Sequence, residues 1–463
     1  MVYWKSKYEI NDKGMKKILV IIFILTGCTL LSAEIKVGVA RKVITPETPF
    51  WLSGYASRNK PSTEILHDLW AKALVIEENS NNRIIIVTTD LLGLSHDISE
   101  DIAHRVSQKY GINRSQLLLS SSHTHSGPVV WPSLSVIFDF NTDDQQKVAQ
   151  YSLKLADDIV DVIDMAMSNL TPMQLSCGHG SVDFAVNRRE STDKGIIIGV
   201  NSNGPVDHDI PVLKITTPDG KLQVVLFGYA CHNTTSNTYL INGDYAGFAQ
   251  IELENANPGA VAMFIAGCGA DQNPQPRGTI ELASQHGKSL ADAVQKVLAG
   301  ELHQMHTPIR TCFTTVDLEF PPFDPDIYRK ELLDTDQYRQ RRAKLMLEAY
   351  NKGWNVSRLP YPVQAVRFSN DLTILALSGE AVVDYSHRVK GEYTKENLFV
   401  AGYCTEVQCY IPSKRILEEG GYEPESSMIY YGLPGPFADN VEDKILDAIH
   451  RVMKRTGARP SKR

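Results

Sequence analysis

Two histidines one residue apart, His123 and His125, close the string Leu117-Leu118-Leu119-Ser120-Ser121-Ser122-His123-Thr124-His125-Ser126-Gly127-Pro128. The three leucines predict a buried strand and the Gly-Pro pair a break after it. In an extended segment, side chains two apart share a face. Both imidazoles can then aim at one point past the carboxyl end of a strand, where α/β proteins tend to place their chemistry. Neutral imidazole is a good zinc ligand, so His-x-His at such an end suits a zinc hydrolase. The plainer alternative is a pair of histidines that hydrogen-bond loop backbone.

Other polar residues follow apolar strands in the same way. His232 comes after Val224 to Cys231, Glu380 after Leu377-Ser378-Gly379, and Tyr410 shortly after Val400-Ala401-Gly402-Tyr403. Asp271 and Asn273 follow Phe264-Ile265-Ala266 in a glycine-rich loop. Each alone is ordinary: a lone His is usually structural, a Gly-Glu is usually a turn, and Tyr410 is by default a half-buried aromatic. Their shared placement is what singles them out.

The elements that must position them alternate. Strands are expected at 34–44, 70–77 and 83–89, a helix at 96–110, the His-x-His strand, and an amphipathic helix at 144–167. Val148, Leu153, Ala156, Ile159, Val160 and Ile163 form that helix's apolar side. Strands then dominate: 175–177, 212–216, 224–231 and 261–266. A helix capped by Thr279 runs to Leu298, followed by a strand at 307–319 and one charged helix over 326–351. A strand pair at 361–377, a strand at 398–403 and a helix at 441–453 complete the chain. The fold class is α/β: layered mixed β-sheets flanked by helices, in a single large domain over 34–463. No sequence repeat or linker divides it.

Composition bounds the partners. The 463 residues are 43% hydrophobic and 22% charged, with a formal net charge of −7 and no basic stripe ahead of the C-terminal tail, which excludes nucleic acid. Met15-Lys16-Lys17, the apolar run Ile18 to Leu25 and small residues after it read as a signal peptide at 15–33. Leu31-Ser32-Ala33 suits cleavage before Glu34, giving a secreted or periplasmic protein. Leu25-Thr26-Gly27-Cys28 resembles a lipobox, which would instead anchor the chain to the outer membrane through a lipid on Cys28. The other six cysteines show no CxxC spacing and read as buried thiols, with Cys404–Cys409 the nearest candidates for a bridge.

His123-Thr124-His125-Ser126-Gly127-Pro128 resembles the signature of the neutral, non-lysosomal ceramidases. So do Phe227 to Ala249 (with Asn242-Gly243-Asp244-Tyr245-Ala246-Gly247-Phe248), Gly54-Tyr55-Ala56, His67-Asp68, Thr88-Thr89-Asp90, Gly379-Glu380 and Tyr410. The resemblance runs from about Lys36 to the chain's end. It implies the family's catalytic domain, without the immunoglobulin-like domain that follows it in characterised ceramidases. It also implies one zinc ion per chain, held by His123, His232, Glu380 and Tyr410. His125 would move the proton, and Arg188 and Tyr422 would contact the substrate carbonyl. Another reading of Arg188 is a surface ion pair with Glu190. Asp244 would pin a loop.

One departure stands out. Ceramidases carry Gly-Asp-Val-Ser-Pro-Asn, whereas this chain reads Ala270-Asp271-Gln272-Asn273-Pro274-Gln275. Asn273 stands where the family has its serine, and an amide cannot act as an acyl-accepting nucleophile. Attack by metal-activated water survives, with Asn273 holding the water or a substrate group. The expected function is hydrolysis of an N-acyl amide, ceramide to sphingosine and fatty acid by resemblance. The alternatives are a zinc hydrolase acting on an acylated amino sugar or glycan fragment, and a non-catalytic binding protein on the same scaffold. Membrane contact would come only through a lipid substrate or a Cys28 anchor. Trp131 to Asn141 reads mostly as core packing, with an apolar lip for a lipid tail as the rival.

Overall fold

Three sheets share one plan. In the first, the strand order is Leu117–Ser121, Asn82–Thr89, Trp70–Asn79, Lys36–Val43 and Thr171–Pro172. In the second it is Val261–Ala266, Leu222–Tyr229, Asp209–Thr216, Gln174–Ser181 and His303–Gln304. In the third it is Ile309–Glu319, Arg358–Phe368, Leu372–Leu377 and Leu398–Ala401. Neighbours pair antiparallel except at one edge of each sheet. There, Leu117–Ser121 runs parallel to Asn82–Thr89, Val261–Ala266 to Leu222–Tyr229, and Leu398–Ala401 to Leu372–Leu377. A parallel pair needs a crossover, and each has a helix: His96–Tyr110, Asp244–Ala256 and Val383–Glu392. A strand–helix–strand unit thus recurs three times without a sequence repeat to announce it.

This computed structural model describes residues 35–461 other than Asn355. The expected signal peptide at 15–33, Cys28 and both cleavage points lie outside the described residues. No helix among the described residues is long and apolar enough to cross a membrane.

The parallel edges meet. Ser120 bridges Cys404, and Gly267 bridges Ala401. One buried apolar cluster takes Leu74 and Ile86 from the first sheet, Leu226 and Ile265 from the second, and Ile374 and Phe399 from the third. No sheet could be removed without exposing that cluster to water, so the sheets stabilise one another. Outside it, the helix Thr142–Ser168 lays Val148, Ala156, Ile159, Val160 and Ile163 inward. The Asn141 side chain caps its start, accepting from Asp144 N–H at 2.8 Å.

The structure departs from the sequence reading in several places. Leu153, expected on the apolar side of that helix, is 74% exposed. The expected single helix over 326–351 is two, Pro325–Glu331 and Gln337–Asn351. The break falls where Asp336 caps the second helix through Tyr338 N–H at 2.8 Å, an aspartate competing with helical backbone as aspartates do. The hairpin Ala185–Thr192/Gly195–Asn201 carries no clean alternation and was not expected as a strand pair. Cys404 and Cys409 are both free, as are the other four described cysteines, and all six are buried. In the 131–141 segment Val136, Ile137 and Phe138 pack inward, while Leu134 and Ile137 also line a cavity.

Candidate metal centre

The site lies where the three parallel edges end. His123 comes two residues after Leu117–Ser121, His232 three after Leu222–Tyr229, and Glu380 three after Leu372–Leu377. Bridges between loops then set the register. Thr124 pairs with Asn233, fixing the His-x-His turn against the His232 turn. Glu380 is the direct parallel partner of Tyr410. Gly379 makes that approach feasible: its φ is +66°, and a Cβ there would sit 2.8 Å from the Cys409 carbonyl oxygen.

The extended geometry expected for His-x-His is not what brings the imidazoles together. The strand stops at Ser121, and His123 sits at φ 62°, in the left-handed region. Its N–H donates to the Leu91 carbonyl at 2.9 Å, so surrounding backbone holds a conformation that a β-carbon disfavours. The two rings end 4.9 Å apart, with their Nε2 atoms at 3.3 Å.

His123 and His232 are oriented alike. Nδ1 of His123 donates to the Leu92 carbonyl at 2.6 Å, and Nδ1 of His232 to the Gly269 carbonyl at 2.8 Å. Each ring therefore turns a bare Nε2 inward, the arrangement that fixes the tautomer of a metal-binding histidine. Both Nε2 atoms point at the same Glu380 Oε2, at 3.1 and 3.0 Å. The Tyr410 hydroxyl lies 3.2 Å from His232 Nε2. The other Glu380 oxygen accepts from the Tyr431 hydroxyl. His123, His232, Glu380 and Tyr410 are buried, and Tyr431 is partly buried. Three lone-pair donors converge with no proton to share, and that set suits a cation.

His125 differs from the other two histidines in its Nδ1. Its Nδ1 is buried without a hydrogen-bond partner, and its ring packs on Gly54 and Tyr55. The imidazoles of His123, His125 and His232 each offer a nitrogen within 4.8 Å of the others, so His125 is close enough to ligate. Its Nε2–H donates to the bare Nε2 of His123, and its unpartnered Nδ1 keeps a lone pair able to take a proton. Burial, with His123 and His232 beside it, holds its pKa well below the usual imidazole value. Burial, then Arg188, pushes His232 down to about 4. Burial works to raise the Glu380 carboxyl, yet the two imidazoles keep it well below the usual range.

Arg188 is buried and does not pair with Glu190. Its Nε donates to Glu423 Oε1 at 2.9 Å and its Nη2 to the Tyr410 hydroxyl at 3.1 Å. Glu423 also holds Arg189, whose remaining partners are Glu419 and the Gly420 carbonyl. Tyr422 packs against Tyr410, ring centroids 5.4 Å apart, under the Arg188 guanidinium. Asn273 Oδ1 lies 3.4 Å from the Thr234 hydroxyl. The Asp244 carboxylate accepts N–H groups of Thr235, Ser236 and Tyr245, pinning the loop after His232. His67 and Asp90 stay outside the cluster, His67 against Phe248 and Asp90 accepting from Trp70 and Gln250.

His123, His125, Arg188, Asn273, Glu380, Tyr410 and Tyr422 all line one cavity of about 210 Å³; His232 lies behind that wall, in contact with Glu380 and Tyr410. Sequence reasoning missed Glu423, Tyr431 and the ring of Tyr403, which lies 4.3 Å from that of His123. The adjacent arginines 188 and 189 were the one available signal for a buried acid. Nothing in the text says that it lies 235 residues downstream.

Residues 35–302 match the family described as neutral/alkaline non-lysosomal ceramidase, N-terminal. The neutral ceramidase of Pseudomonas aeruginosa is 27% identical over 263 residues, 52% of this chain and 38% of that one. The Drosophila melanogaster neutral ceramidase is 25% identical over 258 residues, 53% of this chain and 36% of that one. The matched stretch is thus well under half of either relative. Two solved structures share the fold: a ceramidase complexed with C2, at TM-score 0.70, and the P. aeruginosa neutral ceramidase, at 0.68. Each is 18% identical and is matched over 93% of this chain and 77% of its own. The chain belongs to the neutral/alkaline non-lysosomal ceramidase family.

Proposed function

We propose that this chain is a zinc-dependent amidohydrolase that cleaves the N-acyl bond of a lipid amide, ceramide being the substrate its relatives' names suggest. The observation that carries the reading is the convergence of two bare Nε2 atoms on one Glu380 oxygen at the floor of a cavity. His123, His232, Glu380 and Tyr410 would hold the ion, a nitrogen and oxygen set that zinc accepts. When bound, zinc supplies Lewis acidity to the carbonyl oxygen and lowers the pKa of water.

The chain's own residues do the rest. His125 takes a proton from the attacking water as its oxygen bonds to the carbonyl carbon. Arg188 and Tyr422 face the oxygen that gains charge; the Tyr422 hydroxyl has no protein partner among the described residues and is free to donate. As the C–N bond breaks, His125 returns its proton to the departing amine. Asn273 cannot be acylated, so its amide serves to hold the water or a substrate group. The leader at 15–33 supports export to the compartment where such lipids are met.

Metal analysis and fatty-acid release from ceramide test this. Chelation should abolish release and zinc should restore it, with one ion per chain. His123→Ala should lose metal and activity together, and Asn273→Ala should keep the metal. Unchanged metal content in His123→Ala would sink the ligand set. Zinc-loaded protein that cleaves no N-acyl amide would sink the hydrolase reading.

A further inference from the structure

Arg277 lines the same cavity, and amide cleavage gives it no role. The backbone before and after it is fastened. Gln275 N–H donates to the Phe184 carbonyl at 2.8 Å, Gly278 N–H donates to the Thr235 carbonyl at 2.7 Å, and His286 Nε2 lies 2.7 Å from the Pro276 carbonyl. The side chain, by contrast, is exposed and makes no hydrogen bond or ion pair. A rigid loop thus presents an unpaired guanidinium to the cavity. Its field reaches the wall, where burial pushes the Tyr55 phenol up to about 12 while Arg277 pulls against that rise.

The charge in the cavity is one-sided. Among the described lining residues Glu380 is the sole carboxylate, and two imidazoles hold it. Arg188 is already paired to Glu423. Arg277 is left to meet something anionic from solution, since a guanidinium is built for forked contact with carboxylate or phosphate. The rest of the lining carries no charge beyond the histidines: neutral polar groups such as Thr234 and Asn273, several tyrosines, and the apolar Leu92, Leu134, Ile137 and Ile198. An acyl chain belongs against those residues, and an anion does not, because it would lose hydration without a partner.

Building on the amidase reading, we infer that the substrate is an N-acyl amide whose amine half carries an anionic group, met by Arg277. This departs from a neutral sphingoid amide. Two probes with one acyl chain separate the cases: N-lauroylglycine, anionic, and N-lauroylethanolamine, neutral. A charge-assisted contact at an exposed position is worth on the order of tenfold.

The zinc-loaded enzyme should favour N-lauroylglycine about tenfold in kcat/KM, and added salt should shrink the margin. Arg277→Glu should erase or invert the preference while leaving N-lauroylethanolamine within about twofold, and Arg277→Ala should fall between. Equal rates on both probes, turnover of ceramide alone, or an Arg277→Glu variant that slows both alike would each overturn the inference and leave the amidase reading standing. Failure on both probes and on ceramide would overturn the amidase reading, and this inference with it.

Discussion

Glu423→Gln is the most informative perturbation of the site's scaffold. The carboxylate lies between two guanidiniums, with Arg188 Nε at 2.9 Å on one oxygen and Arg189 on the other. The three side chains are 1%, 5% and 2% exposed for Glu423, Arg188 and Arg189. Breaking a buried charge pair from one side leaves the other charge uncompensated, at a cost of about 3 to 5 kcal/mol. Arg189 retains Glu419, whose side chain is 33% exposed, and the Gly420 carbonyl. Arg188 retains only the Tyr410 hydroxyl and a 3.5 Å approach to His232. The lower end, about 3 kcal/mol, is therefore expected. For a chain of this size that is a fall in Tm on the order of 3 °C. Activity should fall about tenfold or more with metal content unchanged, because Arg188 loses the partner that aims it. Urea unfolding, metal analysis and kcat together read this out. A cycle with Arg188→Met isolates the pair, and Glu423→Gln should cost much less in the Arg188→Met background. Additive costs, or a single-variant cost under about 1 kcal/mol, would refute the reasoning.

Two further outcomes follow from the geometry. Gly54→Ala should cut kcat and spare the metal, because Gly54 sits at φ +97° and a new Cβ would meet His125 Nδ1 at 2.4 Å; unchanged kcat would show that the His125 ring is not held there. Asp271 should make stability depend on pH in the direction opposite to most aspartates. Burial raises its pKa to about 7, despite the Val383 N–H at 2.9 Å. An unfolded aspartate titrates near about 3.9, so between the two values the folded state binds more protons. Stability from this group is then full below about pH 4, falls as pH rises towards 7, and levels beyond, by up to about 4 kcal/mol. Asp271→Asn should remove that slope in urea unfolding at pH 5 and 7, and an equal slope in both proteins would refute the assignment.

How much of this was legible depends on the range of the interaction. The strand ends and the polar residues after them could be read because apolar runs such as Leu372–Leu377 and Val261–Ala266 and their glycine stops are local signals. The convergence of His123, His232, Glu380 and Tyr410 could not be derived from spacing. It rests on the Thr124–Asn233 bridge, which joins loops from two units, and on the Glu380–Tyr410 bridge, which joins two loops of the third unit that are remote in the chain. Glu423 and Tyr431 were invisible for the same reason: their partners Arg188 and Glu380 are remote in the chain, and short polar segments carry no period. The His-x-His reading reached a shared point through the wrong geometry, since extended backbone was assumed where His123 takes a left-handed turn.

The threefold use of one strand–helix–strand unit explains why residues so far apart in the chain can meet at all. A parallel pair ends with two carboxyl termini side by side, so each unit delivers two loops to the same end of its sheet. From the first sheet that end receives His123 and the Asp90-to-Leu92 turn, whose Leu91 and Leu92 carbonyls fix His123. From the second it receives His232 and the Gly269-to-Asn273 loop, whose Gly269 carbonyl fixes His232. From the third it receives Glu380 and, through the 402–410 segment, Tyr403 and Tyr410. In the first two units one strand supplies the imidazole, and its parallel neighbour supplies the carbonyl that sets the tautomer. In the third, the neighbour's loop supplies a second oxygen instead. A substitution that shifts one parallel register, such as a bulky residue at Gly379, would therefore move a donor and its support together, and should lose metal affinity before it loses the fold.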